Sequence, residues 1–228
     1  MSHRLADLAW TEVGDLELVV PLGALEQHGP HLPLGTDTAI ATAFADALAA
    51  SLEGMVVAPP LAYGASGEHQ HFPGTISIGT QATAHALTEL LRSARHRFAG
   101  VVLLCAHGGN ADALSQVAAL AAEEGDELLV TWPKLRGADL HAGNAETSLM
   151  AFLHPAAVRW GSVAPGNLAA PEELTTAMAE GGVAAVSPSG VLGDPSEANA
   201  ERGEALLAEG TAALVADVVQ WRVKRGSR

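Results

Sequence analysis

The run Val101–Cys105 constrains this chain more than any other segment. It is short and apolar throughout, the pattern of a strand buried on both faces in a parallel sheet. Leu18–Leu22 is a second such run, Met55–Val57 a third that leads into Pro59 and Pro60, and Glu127–Trp132 is again strand-like. Helical spacing fills the intervals. It covers Thr38–Leu52, the amphipathic stretch Ala82–Phe98, Ala111–Glu124, and Glu146–Phe152, which stops near Pro155. Ser196–Val219 reads as a long helix with a break near Gly203. Strand and helix in alternation predict an α/β class with a largely parallel sheet. No internal repeat or linker interrupts the pattern. A length of 228 residues fits one domain over 1–228.

Composition removes several functions. Hydrophobic residues make up 48% of the chain and charged residues 17%, enough to bury a core. Twelve Lys and Arg against 26 Asp and Glu leave a formal charge of −14. That balance argues against nucleic acid or an anionic membrane as partner. No apolar run reaches the ~18–20 residues of a membrane span, and MSHRLADLAW lacks a signal-peptide core. A single cysteine forms no internal disulfide, which suits a cytoplasmic location. Ten histidines stand beside one tyrosine and four phenylalanines.

In open α/β sheets ligands bind at the carboxyl ends of the strands, and polar residues follow the strand-like runs here. After the first comes Leu25-Glu26-Gln27-His28-Gly29-Pro30-His31. In extended chain Glu26 and His28 share a side, where a carboxylate and an imidazole either bind a transition metal or form an ion pair. Asp37 precedes a helical pattern, as an N-cap or as a carboxylate able to bridge two metals. His107-Gly108-Gly109-Asn110 follows Val101–Cys105. It reads as a ligand loop whose glycines admit close backbone approach, or as a tight turn; without Gly-Lys-Ser/Thr a phosphate loop is disfavoured. His141 and Glu146 flank a glycine turn. They offer a proton shuttle and a metal carboxylate, with helix capping as the alternative for Glu146. The loop Tyr63–Thr75 brings His69 and His71, an acid and an aromatic into one stretch, as a pocket lining or a plain surface loop.

The block from Pro21 to Thr38, with Glu26, His28, His31 and Asp37, closely resembles the first signature of the creatininase family. Further blocks follow in the family's order: Tyr63-Gly-x-Ser66 with Phe72-Pro-Gly-Thr75, His107-Gly-Gly-Asn110, His141-Ala-Gly with Glu146-Thr-Ser148, and Gly190-Val-Leu-Gly-Asp194-Pro195. The resemblance implies a layered α/β/α fold, two divalent metals per subunit, and hydrolysis of an amide-type C–N bond by a metal-activated water. By position, Glu26, Asp37 and His107 hold one metal, and His28 and Asp37 the other, with Asp37 as bridge. His141 matches the catalytic histidine. Creatininase itself has a glutamate ligand where this chain has Gly109, which disfavours creatinine as substrate and leaves the second metal short of a ligand that Glu146, or else water, would supply. The wording of the blocks is most similar to the family's mycofactocin-system branch. That likeness implies a peptidase that releases a modified C-terminal Val-Tyr core from a precursor peptide. A small-molecule amidohydrolase acting on a cyclic amide or a formamide, and a metal-binding protein without catalysis, are the rival expectations. Zinc, iron(II) and manganese all suit the donor set. His69, His71, Gly108 and Gly109 are the expected substrate contacts, and a homo-oligomer is implied, hexamers being common in the family.

Overall fold

The computed structural model describes residues 3–226, so the extreme ends of the expected 1–228 domain lie outside the described residues. Strands β1 (Glu17–Leu22), β2 (Met55–Val57), β3 (Gly100–Cys105) and β4 (Leu128–Thr131) form one sheet in the order β2-β1-β3-β4, every pair parallel. β1 and β3 pair over six positions, from Glu17 with Gly100 to Leu22 with Cys105. Every residue of both strands is buried, as their unbroken apolar runs predict.

Alternation then sorts the side chains. Val19, Val102 and Leu104 face α1 (Thr36–Ser51), α4 (Asn144–Leu153) and α6 (Ala200–Gly226), where Phe44, Leu48, Leu149 and Leu214 complete a core. Leu18, Val20, Leu22, Val101, Leu103 and Cys105 face α2 (Gly79–Ala94) and α3 (Ala111–Glu124), packing on Leu87, Leu91, Leu114 and Val117. Helices thus cover both faces of the sheet, the layered arrangement expected. Fully buried strands leave the loops at their carboxyl ends to carry the polar chemistry.

Two expectations need correction. The C-terminal helix starts at Ala200 and runs through Gly203 without a break. A side chain at 203 would come within 2.0 Å of the Ser148 carbonyl oxygen, so this glycine serves the close approach of α6 to α4 rather than interrupting the helix. A further helix, α5 (Pro171–Val186), lies in a segment with no predicted element. Pro171 opens it, with Glu172 and Glu173 in its first turn, which is a recognisable start signal. The pair Gly181-Gly182 obscures its continuation, and Gly182 adopts a left-handed φ of 68° at an internal kink.

Candidate metal centre

The carboxyl ends of β1 and β3 bring the predicted residues together. The Glu26 side chain is fully buried. Its Oε1 lies 3.2 Å from His107 Nδ1, 3.5 Å from His69 Nε2 and 3.8 Å from His141 Nδ1. Asp37, in the first turn of α1, places Oδ1 2.9 Å from His28 Nε2 and Oδ2 3.4 Å from His107 Nδ1. The N-cap position belongs to Gly35, so Asp37 is turned to the histidines instead of to the helix end. Glu146, in the first turn of α4, sits with Oε2 4.0 Å from His28 Nε2. That oxygen also accepts a 2.6 Å hydrogen bond from the Ala142 N–H, one residue before the Gly143 N-cap, so Glu146 braces the turn behind His141 and does not cap the helix.

Both expected ligand sets are therefore close in space. Donor atoms within 4.8 Å of one another include those of Glu26, His28 and Asp37; of His28, His141 and Glu146; of Glu26, His69 and His141; and of Glu26, Glu68 and His107. The decisive feature is what these atoms lack. Both oxygens of Glu26 and Oδ2 of Asp37 are buried with no hydrogen-bond partner, a costly state for a carboxylate. The imidazoles meanwhile turn one ring nitrogen each inward. His107 Nε2 is 2.9 Å from the Ala65 carbonyl and His28 Nδ1 is 3.2 Å from the Glu26 carbonyl. Each N–H is thus directed to a carbonyl, leaving the other nitrogen to face the carboxylates. Buried acceptors without donors, beside inward-facing imidazole nitrogens, fit a divalent cation, whose place a proton takes on His28 and His107 when no metal is bound.

The electrostatics carry the same strain. Burial favours a neutral His28, but Asp37, aided by Glu146 and Glu26, overrides it and raises the pKa to about 10. Burial likewise opposes charge on His107, and Glu26 raises it to about 9. Burial pushes Asp37 up to about 6 against the pull of His28. Burial also pushes Glu26 up, yet His107, with His69 and His28, holds it below the ordinary carboxylate range. His69 and His141, buried beside other imidazoles, are lowered to about 3 and about 4. Proximity of charges and burial thus split one group of histidines into two protonation classes.

His141 is held by two carbonyl contacts. Its backbone pairs with Leu192, N–H to O at 3.1 Å and the return bond at 2.9 Å, and its Nε2 lies 2.8 Å from the Gln27 carbonyl. The Gly190–Asp194 block earns its place here, because Gly190 also approaches Gln27 so closely that a side chain there would collide with the Gln27 amide. Ala142, next to His141, has a left-handed φ of 52°, the sole non-glycine residue with positive φ among those described.

Of the expected substrate contacts, Gly108 and Gly109 line a cleft of about 580 Å³ together with Ala65, Glu68, Ile78 and Asp112. At Gly109 a Cβ would meet Ala65 O, Glu68 Oε1 and His107 Nε2 within 2.4 Å. No side chain fits at 109, and the Glu68 carboxylate occupies that space. His69 is buried inside the centre, whereas His71 is exposed and takes part in none of the carboxylate–imidazole groupings. Glu68, Gln27 and Asn110 escaped the sequence reading. Asn110 ties the loops together, accepting from Ala65 N–H at 2.9 Å and donating to the Gly23 carbonyl at 3.1 Å. Its place in His107-Gly-Gly-Asn110 was the available signal. Gln27 lies between Glu26 and His28; strict alternation would turn it away, yet it reaches both His69 and His141.

Comparison with known proteins agrees with this geometry. A family model described as "Creatininase: Creatinine amidohydrolase" matches residues 6–218. The chain is 46% identical over 213 residues to a protein of Mycobacterium tuberculosis (strain CDC 1551 / Oshkosh) named mycofactocin precursor peptide peptidase, covering 90% of this chain and 85% of that one. It is 44% identical to the protein of the same name from Mycolicibacterium smegmatis, covering 91% and 86%. A crystal structure titled creatinine amidohydrolase (creatininase) superposes with a TM-score of 0.79 at 25% identity, over 96% of this chain and 97% of that chain.

Proposed function

Because this chain belongs to the creatininase family, we propose that it is a metal-dependent peptidase acting on a mycofactocin precursor peptide. The amide bond it hydrolyses is the one whose cleavage releases the modified C-terminal Val-Tyr core. One observation supports the metal-dependent chemistry: both buried oxygens of Glu26 and Oδ2 of Asp37 have no hydrogen-bond partner and face imidazole nitrogens. The peptide substrate rests on the name shared by the relatives at 44–46% identity.

In this reading Glu26, Asp37 and His107 hold one divalent ion, and His28, Asp37 and Glu146 the other. Bound there, zinc, iron(II) or manganese supplies a water of lowered pKa and a polarised scissile carbonyl. The chain supplies the rest. His141, neutral because it is buried, takes a proton at Nδ1 and delivers it to the leaving amine. The backbone at Gly108 and Gly109, open on the cleft, receives the peptide and donates N–H groups to the developing oxyanion. His71 is a contact for substrate outside the centre. The absence of room for a side chain at 109 disfavours a creatinine-specific site. The protein works as a cytoplasmic homo-oligomer.

The test is cleavage by mass spectrometry. Protein loaded in turn with zinc, iron(II) and manganese is incubated with the precursor peptide carrying the modified Val-Tyr end, with creatinine and with a formamide. Release of the modified core, abolished by chelation and restored by metal, is the expected result. Cleavage of creatinine alone, or full peptide cleavage by metal-free protein, overturns the proposal.

A further inference from the structure

Gln27 touches two histidines of the centre and contacts each by a different part of itself. Its side-chain Oε1 accepts from the Gly29 N–H at 2.8 Å, which fixes the orientation of the amide and leaves Nε2 as the donor. Three atoms surround that Nε2: His69 Nδ1 at 2.8 Å, the Gly190 carbonyl at 3.1 Å and His141 Nε2 at 3.1 Å. The amide has two protons, so one of the three goes without.

The Gln27 backbone decides which. His141 Nε2 lies 2.8 Å from the Gln27 carbonyl oxygen. A lone pair there would oppose the carbonyl's own lone pairs, so this nitrogen carries a proton and donates it. An N–H cannot also accept from the amide. The two amide protons therefore go to the Gly190 carbonyl and His69 Nδ1. His69 Nδ1 is then an acceptor, and its proton sits on Nε2, which faces Glu26 Oε1 at 3.5 Å. His141 carries its proton on Nε2 as well, but that nitrogen faces outward to Gln27, and Nδ1 faces Glu26 Oε1 at 3.8 Å. The two rings lie 4.5 Å apart between centroids, tilted by 44°, in the same tautomer but with different nitrogens toward Glu26.

We propose that Gln27 is a positioning residue that gives these neighbouring histidines opposite parts: His69 offers an N–H to the centre, and His141 offers a lone pair. His69 then turns an N–H toward Glu26 Oε1, at 3.5 Å too far and too poorly aligned to satisfy that oxygen, and has no lone pair there to offer a metal. His141 alone of the two is free to take a proton at the nitrogen that faces the centre. The collision that any side chain at Gly190 would make with the Gln27 amide identifies the wall that holds the amide in place. The kinetic part of this inference rests on the peptidase reading; the hydrogen-bond part does not.

Long-range 1H–15N spectra of the metal-free protein read the tautomers directly. Both His69 and His141 are expected as Nε2–H imidazoles. In Gln27→Glu the carboxylate can still accept from Gly29 but offers no donor, so His69 should switch to Nδ1–H while His141, held by the main chain, stays as it was. In Gln27→Met the His69 signature should become a mixture. In metal-loaded enzyme both variants should keep their metal and lose kcat by about 10- to 100-fold, the usual cost of removing a group that orients a site residue, with KM little changed. Wild-type His69 protonated at Nδ1, or unchanged His69 signals or kcat in the variants, overturns the proposal. The wild-type spectrum decides the assignment even if both variants fail to fold. Failure of wild-type enzyme to cleave the precursor peptide would count against the peptidase reading while leaving the tautomer result to stand or fall alone.

Discussion

Two buried glutamates sit near opposite ends of β1, and their surroundings differ in kind. Glu17 opens the strand at 4% exposure and Glu26 follows its carboxyl end at 0%. Glu17 Oε2 accepts from Arg222 at 2.7 and 2.9 Å, and Oε1 from Arg225 at 2.7 Å. Both oxygens are satisfied, and the two arginines anchor the end of α6 to the start of the sheet. Arg225 also lies over the Trp221 ring at 4.7 Å. Glu26 has imidazoles around it and no hydrogen bond to either oxygen. A buried carboxylate with its own cations is a structural clamp. One that lacks donors is complete only with a ligand, and that contrast marks which end of the sheet does chemistry.

Substitutions separate the two most sharply. Glu26→Gln and Asp37→Ala should bring turnover to background and strip the metal, measured by elemental analysis beside peptide cleavage. His141→Ala should keep the metal and lose about 10²–10⁴ in kcat, the range of a positioned acid–base group. Metal at 100 times its Kd should stabilise the wild type by about 2.7 kcal/mol and Glu26→Gln by far less. Glu17→Ala should behave in the opposite way. It leaves two guanidinium groups without their partner, costs about 3–5 kcal/mol of stability, and retains both the metal-induced gain and the turnover of the folded fraction. Equal metal-induced shifts in wild type and Glu26→Gln would erase the distinction.

The contrast was only half legible in the sequence. Glu26, His28, Asp37, His107, His141 and Glu146 all follow or precede elements whose patterns are strong, and the centre assembles where parallel strands end. The fold was readable for the same reason: runs such as Val101–Cys105 are buried on both sides. What escaped depends on contacts between distant segments. Gln27 gains its meaning from Gly190, 163 positions away, and Glu17 from Arg222 and Arg225 in the last turns of α6. Gly203 has helical neighbours on both sides, so local propensity suggested a break, while the Ser148 carbonyl against it is the reason for the glycine. His69 and His71 look alike in sequence, and a short 3-10 turn at Gly67–His69 buries one and leaves the other exposed.

A pH profile of the metal-free protein should carry the signature of the unsatisfied end. His69 and His141 have folded-state values of about 3 and about 4, below the unfolded value near 6.5. The unfolded chain therefore takes up their protons first, and stability falls as pH drops from about 6.5 toward those values. His28 and His107 are raised to about 10 and about 9. Their contribution is complete below about 6.5 and is lost as pH rises through the folded values. Thermal unfolding of chelated protein should thus show a maximum near pH 6.5, with a decline on both sides. Glu17→Ala should lower that whole curve without moving the maximum. A maximum displaced by Glu17→Ala would mean that the two ends are coupled.

The smallest effect belongs to Ala142, whose φ of 52° places a buried Cβ-bearing residue in left-handed backbone beside His141. That conformation costs about 1–2 kcal/mol for an L-residue. Gly at this position removes the steric cost but adds about 0.4–1 kcal/mol of unfolded-state entropy. Ala142→Gly should therefore change stability by no more than about 1 kcal/mol, as measured by denaturant unfolding. Ala142→Val, with a branched Cβ in the same backbone, should destabilise clearly. Kinetics distinguish packing from placement. If the alanine is there because its methyl fills the buried space, glycine will cost stability and leave kcat alone. If it restricts the backbone that carries His141 and the Glu146 bond at the Ala142 N–H, glycine will lower kcat at nearly unchanged stability. The first outcome is expected, because the Ala142 methyl is fully buried and the bonds of His141 to Leu192 and of the Ala142 N–H to Glu146 hold this backbone without it.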